Sequence, residues 1–232
     1  MISINDLNFA YDDGRMALEN VSLEFRKGEK VALVGPNGAG KTTLLLHLNG
    51  ILRGVGSVIV GGQALNDRTI KAIRARVGLV FQSPDDQLFS SSVFDDVAYG
   101  LVYQGLEKDL IKQKVAQALE AVGMPDSQAR SPYHLSLGEK KRVALATVLC
   151  MQPEVLALDE PTAGLDPRGR RGILNLLAGL DQTLIVATHD LEMVREIFPR
   201  IIIMDAGCVV YDGETQAALA NQALLEAHGL IG

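Results

Sequence analysis

The chain has 232 residues, 47% of them hydrophobic, and a formal net charge of −6. That length suits one large α/β domain, or one domain with a small lobe, and the apolar share is ample for a buried core. The acidic balance argues against nucleic acid as a main partner, because phosphate backbones select basic surfaces.

The N-terminal Met1-Ile2-Ser3-Ile4-Asn5-Asp6 has neither the basic start nor the apolar stretch of a signal peptide. No apolar run approaches the ~20 residues that span a bilayer, so any membrane pore is expected from another chain. Ile2 and Ile4, then Leu7 and Phe9, predict a strand over residues 2–10. Val21, Leu23 and Phe25 predict another before the turn at Lys27-Gly28. Residues 31–34 are all apolar, as in a strand buried on both faces, and lead into a glycine-rich segment and then the leucine-rich residues 44–48. That order is strand, glycine loop, helix. Residues 58–60 and 77–81 predict further strands. From about Asp85 to Cys150 the pattern turns helical, with Leu110, Ile111, Val115, Ala118, Leu119 and Val122 at helical spacing and Gly123 and Pro125 as the stop. Strand patterns resume at residues 155–158, 183–187 and 201–204, residues 209–211 read as an edge strand, and a short helical tail follows. Cys150 and Cys208 lie far apart in apolar surroundings without metal-ligand spacing, which suits small buried side chains in a reducing cytoplasm.

Gly35, Pro36, Asn37, Gly38, Ala39, Gly40, Lys41 and Thr42 match the pattern G-x-x-x-x-G-K-[ST]. Glycines let backbone N–H groups turn inward around phosphate oxygens, and the following helix aims its positive dipole end at them. Lys41 is expected to reach the β- and γ-phosphates, the Thr42 hydroxyl to ligate Mg²⁺, and Thr43 to join the nucleotide-binding set. The apolar run 155–158 ends in Asp159 and Glu160. Carboxylates at the C-terminal end of a strand lie where ligands bind in open parallel sheets. Asp159 is expected to hold Mg²⁺ and Glu160 to orient or deprotonate the attacking water.

Further residues carry a family resemblance. Leu135-Ser136-Leu137-Gly138-Glu139 resembles the L-S-G-G-Q signature of ATP-binding-cassette (ABC) ATPases, with Leu137 and Glu139 as departures. Gln82 resembles their Q-loop glutamine, residues 159–166 their acidic strand end and D-loop, His189 their switch histidine, and Tyr11 the aromatic that stacks on adenine. The resemblance runs from about residue 2 to 213. It implies an α/β fold: a P-loop NTPase core of ABC type over about 1–84 and 152–213, with an antiparallel β edge region, an inserted α-helical subdomain at about 85–151, and a helical tail at 214–232. It also implies Mg²⁺ with ATP, Gln82 as a further metal and catalytic residue, and a dimer in which Ser136 and Gly138 of one subunit close on the nucleotide of the other. Glu160, His189 and Gln82 are then the catalytic set. His47, His134 and His228 are read as structural.

The segment Phe81-Gln82-Ser83-Pro84-Asp85-Asp86-Gln87-Leu88-Phe89 is similar to a stretch of energy-coupling-factor (ECF) importer ATPases, and residues 135–142 and 158–169 look like their cobalt and nickel branch. This implies a peripheral subunit on the cytoplasmic face of the membrane, paired with an identical or closely related ATPase. Its further partners are a transmembrane coupling subunit and a substrate-binding membrane subunit. The alternatives are an ECF vitamin importer or another ABC transporter, and, from a different class, a soluble ABC ATPase acting on nucleic acid or the ribosome. A soluble type usually carries two cassettes or a long coiled-coil insert, and neither is visible in the sequence.

Overall fold

The computed structural model describes residues 1–231. In chain order its elements are β1 (Ile2–Ala10), β2 (Met16–Phe25), β3 (Lys30–Val34), α1 (Lys41–Leu48), β4 (Val55–Val60), β5 (Gln63–Ala64), α2 (Ile70–Arg76), β6 (Val77–Val80), α3 (Val93–Tyr103), α4 (Lys108–Ala121), α5 (Leu137–Leu149), β7 (Val155–Asp159), α6 (Pro167–Ala178), β8 (Thr183–Ala187), α7 (Leu191–Ile197), β9 (Arg200–Asp205), β10 (Cys208–Glu214), α8 (Thr215–Ala220) and α9 (Gln222–Ala227). Two compact units emerge. One comprises Met1–Leu79, Glu154–Glu160 and Asp181–Gly232, and the other Val80–Pro153 and Pro161–Leu180. Residues 161–180, expected with the α/β core, cluster with the helices instead.

The α/β unit holds an antiparallel sheet in the order β2-β1-β4-β5 and a larger sheet in the order β10-β9-β3-β8-β7-β6. The skipped beat between Ile4 and Leu7 has a cause. Asp6 adopts φ 47 and the β1–β2 register shifts there, so a bulge returns Leu7 to the buried face. In the larger sheet β3 runs parallel to β8 and β9, and β7 parallel to β8. Strands β7 and β8 are buried at every position, as continuous apolar runs require. The register pairs Leu33 with Ala187, and Ala187 with Asp159. Three strand ends therefore finish level, and their following residues share one edge of the sheet. Helix α1 packs on β7 and β8. The tail helix α8 packs on β9, β10 and α7.

In the helical unit α3, α4 and α5 pack on one another. Ser92 caps α3 by accepting the Asp95 N–H, and Asp166 caps α6 through the Gly169 N–H, with Pro167 at the first helical position. Helix α4 buries Ile111, Val115, Ala118 and Leu119, while Leu110 from the same apolar set stays exposed. Gln87 braces the unit. Its Oε1 accepts the Phe81 N–H at 3.1 Å, and its Nε2 donates to Ala144 O at 2.8 Å and Thr147 Oγ1 at 2.7 Å. Asp85 pairs with Lys140 at 2.6 Å. The acidic stretch after Gln82 is thus tied to α5. Cys150 is a buried free thiol, pushed up to about 12 by desolvation. Among the described residues no helix is long and apolar enough to cross a membrane.

Candidate nucleotide site

Strand β3 delivers the chain into a tight loop that α1 takes over at Lys41. Two glycines are dictated by their surroundings. A β-carbon on Gly35 would run into the Met204 carbonyl oxygen, and one on Gly40, at φ +98, into that of Ala17. The buried Lys41 ammonium donates to the Gly35 carbonyl at 2.7 Å and the Pro36 carbonyl at 3.0 Å. Burial lowers its pKa from the ordinary lysine value, opposed by the charges of Glu160 and Asp159. An anion bound at the loop would restore part of the stabilisation that desolvation removes.

The Thr42 hydroxyl donates to Asp159 Oδ2 at 2.7 Å, and Asp159 is buried. A hydroxyl and a carboxylate facing each other are hard oxygen donors. They fit Mg²⁺, which takes few protein oxygens and fills its remaining positions with phosphate and water. Among the described residues no cluster of three His, Cys, Asp or Glu occurs.

Glu160 is also buried, and its backbone sits at φ 45 with its N–H donated to Ala187 O at 2.9 Å. A non-glycine residue held there stores strain of order 1–3 kcal/mol, a pattern that clusters at active sites. The turn brings Glu160 Oε2 to 2.9 Å from His189 Nδ1, and the Thr188 hydroxyl donates to the same oxygen at 3.4 Å. An ionised carboxylate only accepts, so the imidazole Nδ1 carries a proton and donates it to Glu160, leaving Nε2 on the outer side of the ring. The His189 side chain is 70% exposed, open to a ligand.

Tyr11 follows β1. Its hydroxyl shares a hydrogen bond with Thr43 Oγ1 at 2.9 Å, and its ring meets Phe9 edge-on at 5.1 Å. Phe9 in turn meets the buried His47 at 4.9 Å, and His47 Nδ1 donates to Thr43 O at 2.7 Å. Burial lowers the His47 pKa, so this ring is a neutral packing group, in line with its structural reading. Arg15 places its guanidinium 5.3 Å from the Tyr11 ring centroid. Sequence reasoning missed Arg15, Thr188 and Met204. Arg15 leaves only the faint signal of a cation near an aromatic, and Met204 leaves none, because it approaches the loop from a distant strand.

The expected residues fall into two sets. The α/β unit brings together Tyr11, the segment 35–43, Asp159, Glu160 and His189. Gln82, Ser136 and Gly138 belong to the helical unit, where the Gln82 carbonyl accepts from Lys141 Nζ at 3.3 Å. Ser136 caps α5 in a capping box with Glu139. The Leu137 side chain finds its room over Gly164, where a β-carbon would lie 3.0 Å from Leu137 Cδ2. Beside it opens a cavity of about 470 Å³ whose lining includes Ser136, Gly138, Arg142, Leu165 and Arg168. First-turn amides and two guanidinium groups suit an anion.

A glycine loop between strand and helix, beside a strand tipped with two carboxylates, defines a phosphate-loop nucleotide hydrolase. The chain belongs to the ABC transporter family, whose family profile, described as ABC transporter, matches residues 18–163. It is 48% identical to the energy-coupling factor transporter ATP-binding protein EcfA of Carboxydothermus hydrogenoformans, over 99% of this chain and 86% of that one. Its fold matches CbiO1 of Clostridium perfringens, described as part of the ABC transporter complex CbiONQ, with TM-score 0.85 and 38% identity over 99% of this chain and 94% of that one. The ATP-binding cassette MJ0796, solved as a dimer in a post-hydrolysis state with ADP and phosphate, matches with TM-score 0.85 and 26% identity over 93% and 99% of the two chains. The chain is therefore an ABC ATPase, the ATP-binding subunit of an ECF-type transporter.

Proposed function

We propose that the chain acts as one of two identical or closely related ATPase subunits on the cytoplasmic face of a membrane and drives import of cobalt or nickel ions. The observation that carries this assignment is the similarity over 99% of the chain to CbiO1 of the CbiONQ complex. The metal-branch resemblance of residues 135–142 and 158–169 supports it.

ATP would lie against Tyr11, the loop 35–43 with the backbone N–H groups of its non-proline residues, and Lys41, and Ser136 and Gly138 of the second subunit would meet its γ-phosphate. Thr42 and Asp159, with Gln82 added by resemblance, would hold Mg²⁺, which when bound would offset phosphate charge. Glu160 accepts a proton from the attacking water. The water oxygen bonds to the γ-phosphorus as the bond to the β–γ bridging oxygen breaks, releasing phosphate and ADP. His189, oriented by Glu160 through Nδ1, presents Nε2 to the water and the γ-phosphate. Catalysis of this kind is positioning and electrostatics rather than covalent chemistry. Loss of the γ-phosphate then lets the two subunits separate.

Helix α3 leaves Tyr99, Val102 and Tyr103 on one face, 58, 61 and 75% exposed, and Phe89 packs edge-on to Tyr99 at 5.1 Å. An exposed apolar patch of this kind marks a docking face. It supports contact with a cytoplasmic helix of the transmembrane coupling subunit, which a substrate-binding membrane subunit accompanies. Uptake of labelled Co²⁺ and Ni²⁺ in cells lacking this chain tests the assignment. Loss of uptake of one ion is expected, and unimpaired uptake of both contradicts it. Loss of vitamin uptake instead would support the second assignment, an ECF vitamin importer.

A further inference from the structure

The signature segment carries Glu139 where the resembled motif has glutamine. An extra carboxylate at the start of α5 is awkward for a site that must receive a triphosphate. It repels the incoming anion, and it competes for the hydroxyl hydrogen of Ser136. The structure shows both the competition and its remedy. Ser136 donates its N–H to Glu139 Oε2 at 2.8 Å and its O–H to the same oxygen at 2.9 Å. The other oxygen, Oε1, accepts from Arg130 Nη1 at 2.6 Å. Arg130 lies outside every motif singled out in the sequence.

We propose that Arg130 is a positioning residue for nucleotide-driven closure: its guanidinium offsets the Glu139 charge and thereby makes the Ser136 hydroxyl and the first amides of α5 available to a phosphate group. The inference rests on the proposed role of Ser136 and Gly138 at the partner subunit's nucleotide. When a phosphate oxygen arrives, the Ser136 O–H must rotate from Glu139 to that oxygen. A carboxylate already sharing its charge with arginine gives up that hydrogen more readily than a bare one. The Arg130 contact is also the first cause that holds the Glu139 carboxyl at about 2, so the charge is present at any working pH.

A purely structural role fits less well. The pair is partly exposed, with side chains 44% and 23% accessible, and such pairs contribute little to folding. The backbone of Arg130 is secured independently, its N–H donated to Ser127 O at 2.9 Å and its carbonyl accepting from Val93 N–H at 2.9 Å. Trimming the side chain therefore removes the charge contact and leaves the loop anchored.

The test is a double-mutant cycle on the purified full-length chain, reading ATP hydrolysis against ATP concentration together with melting temperature. Arg130→Ala in the presence of Glu139 should raise the ATP concentration for half-maximal rate at least about tenfold, whereas adding Glu139→Gln should cut that penalty to less than about twofold. Arg130→Lys should retain most of the wild-type behaviour. An Arg130→Ala penalty of equal size in both backgrounds, a parallel loss of melting temperature in both, or no penalty at all overturns the inference. Ser136→Arg reports separately on the underlying assignment. Normal hydrolysis in that variant removes the signature from the nucleotide site altogether. An inactive Ser136→Arg with no Arg130–Glu139 coupling defeats only the role of Arg130.

Discussion

Replacing Leu137 by glycine separates side-chain packing from phosphate contact at the signature. Leu137 is 41% exposed, so a little over half of its surface is covered, with its Cδ2 lying close to Gly164. Complete burial of a leucine is worth roughly 1.5–3 kcal/mol, and scaling by the covered share gives about 1–2 kcal/mol for this side chain. A glycine at the start of α5 adds roughly 0.5 kcal/mol of backbone entropy. The variant should thus lose about 2 kcal/mol, which lowers the melting temperature of a chain this long by roughly 4–8 °C. Hydrolysis should hold or rise, because the amide at position 137 remains while a bulky side chain leaves the rim of the anion cavity. Thermal unfolding and a phosphate-release assay run well below both midpoints measure the two effects independently. A folded variant whose hydrolysis collapses more than about tenfold would show that the site needs the leucine side chain itself.

Other consequences are equally specific. Gly35→Ala puts a methyl group against the Met204 carbonyl, so the loop must move, and ATP affinity by calorimetry should fall at least about tenfold. Unchanged affinity would mean the loop tolerates displacement. The Glu139 carboxyl titrates at about 2 in the folded chain against an ordinary 4.5, so its stabilising contribution is complete above pH 4.5 and disappears as pH falls through about 2. The melting-temperature gap between wild type and Glu139→Ala should stay constant from roughly pH 7 to 5 and shrink only at lower pH, and a gap already closed near pH 6 contradicts this. Tyr103→Asp should cut co-purification of the membrane subunits at least about fivefold with melting unchanged, and full recovery would place docking elsewhere.

Much of the site was readable because its chemistry is local in sequence. The segment 35–42 fixes its own loop, and the acidic pair 159–160 announces itself at the end of an apolar run. Strand β2 was only half visible. It begins at Met16, but Asn20 adopts φ 50 and breaks the alternation that Val21 resumes. What stayed hidden depends on distant chain meeting chain, Met204 beneath Gly35 and Thr188 on Glu160, or on a turn whose geometry the sequence does not give, Arg15 folding back over Tyr11. The destination of Leu137 was equally unreadable, since it depends on a β-carbon missing at Gly164 in a separate segment. Residues 161–180 carry an ordinary amphipathic helix whose pattern cannot say which core it joins.

Single-turnover hydrolysis by Glu160→Gln tests the central claim most directly. The substitution keeps the size of the side chain while removing its negative charge and its capacity to take a proton. ATP should still bind with near wild-type affinity while the hydrolysis step slows at least about a hundredfold, the usual reach of a positioned general base. Near-normal turnover in that variant would contradict the assignment of water activation to this carboxylate.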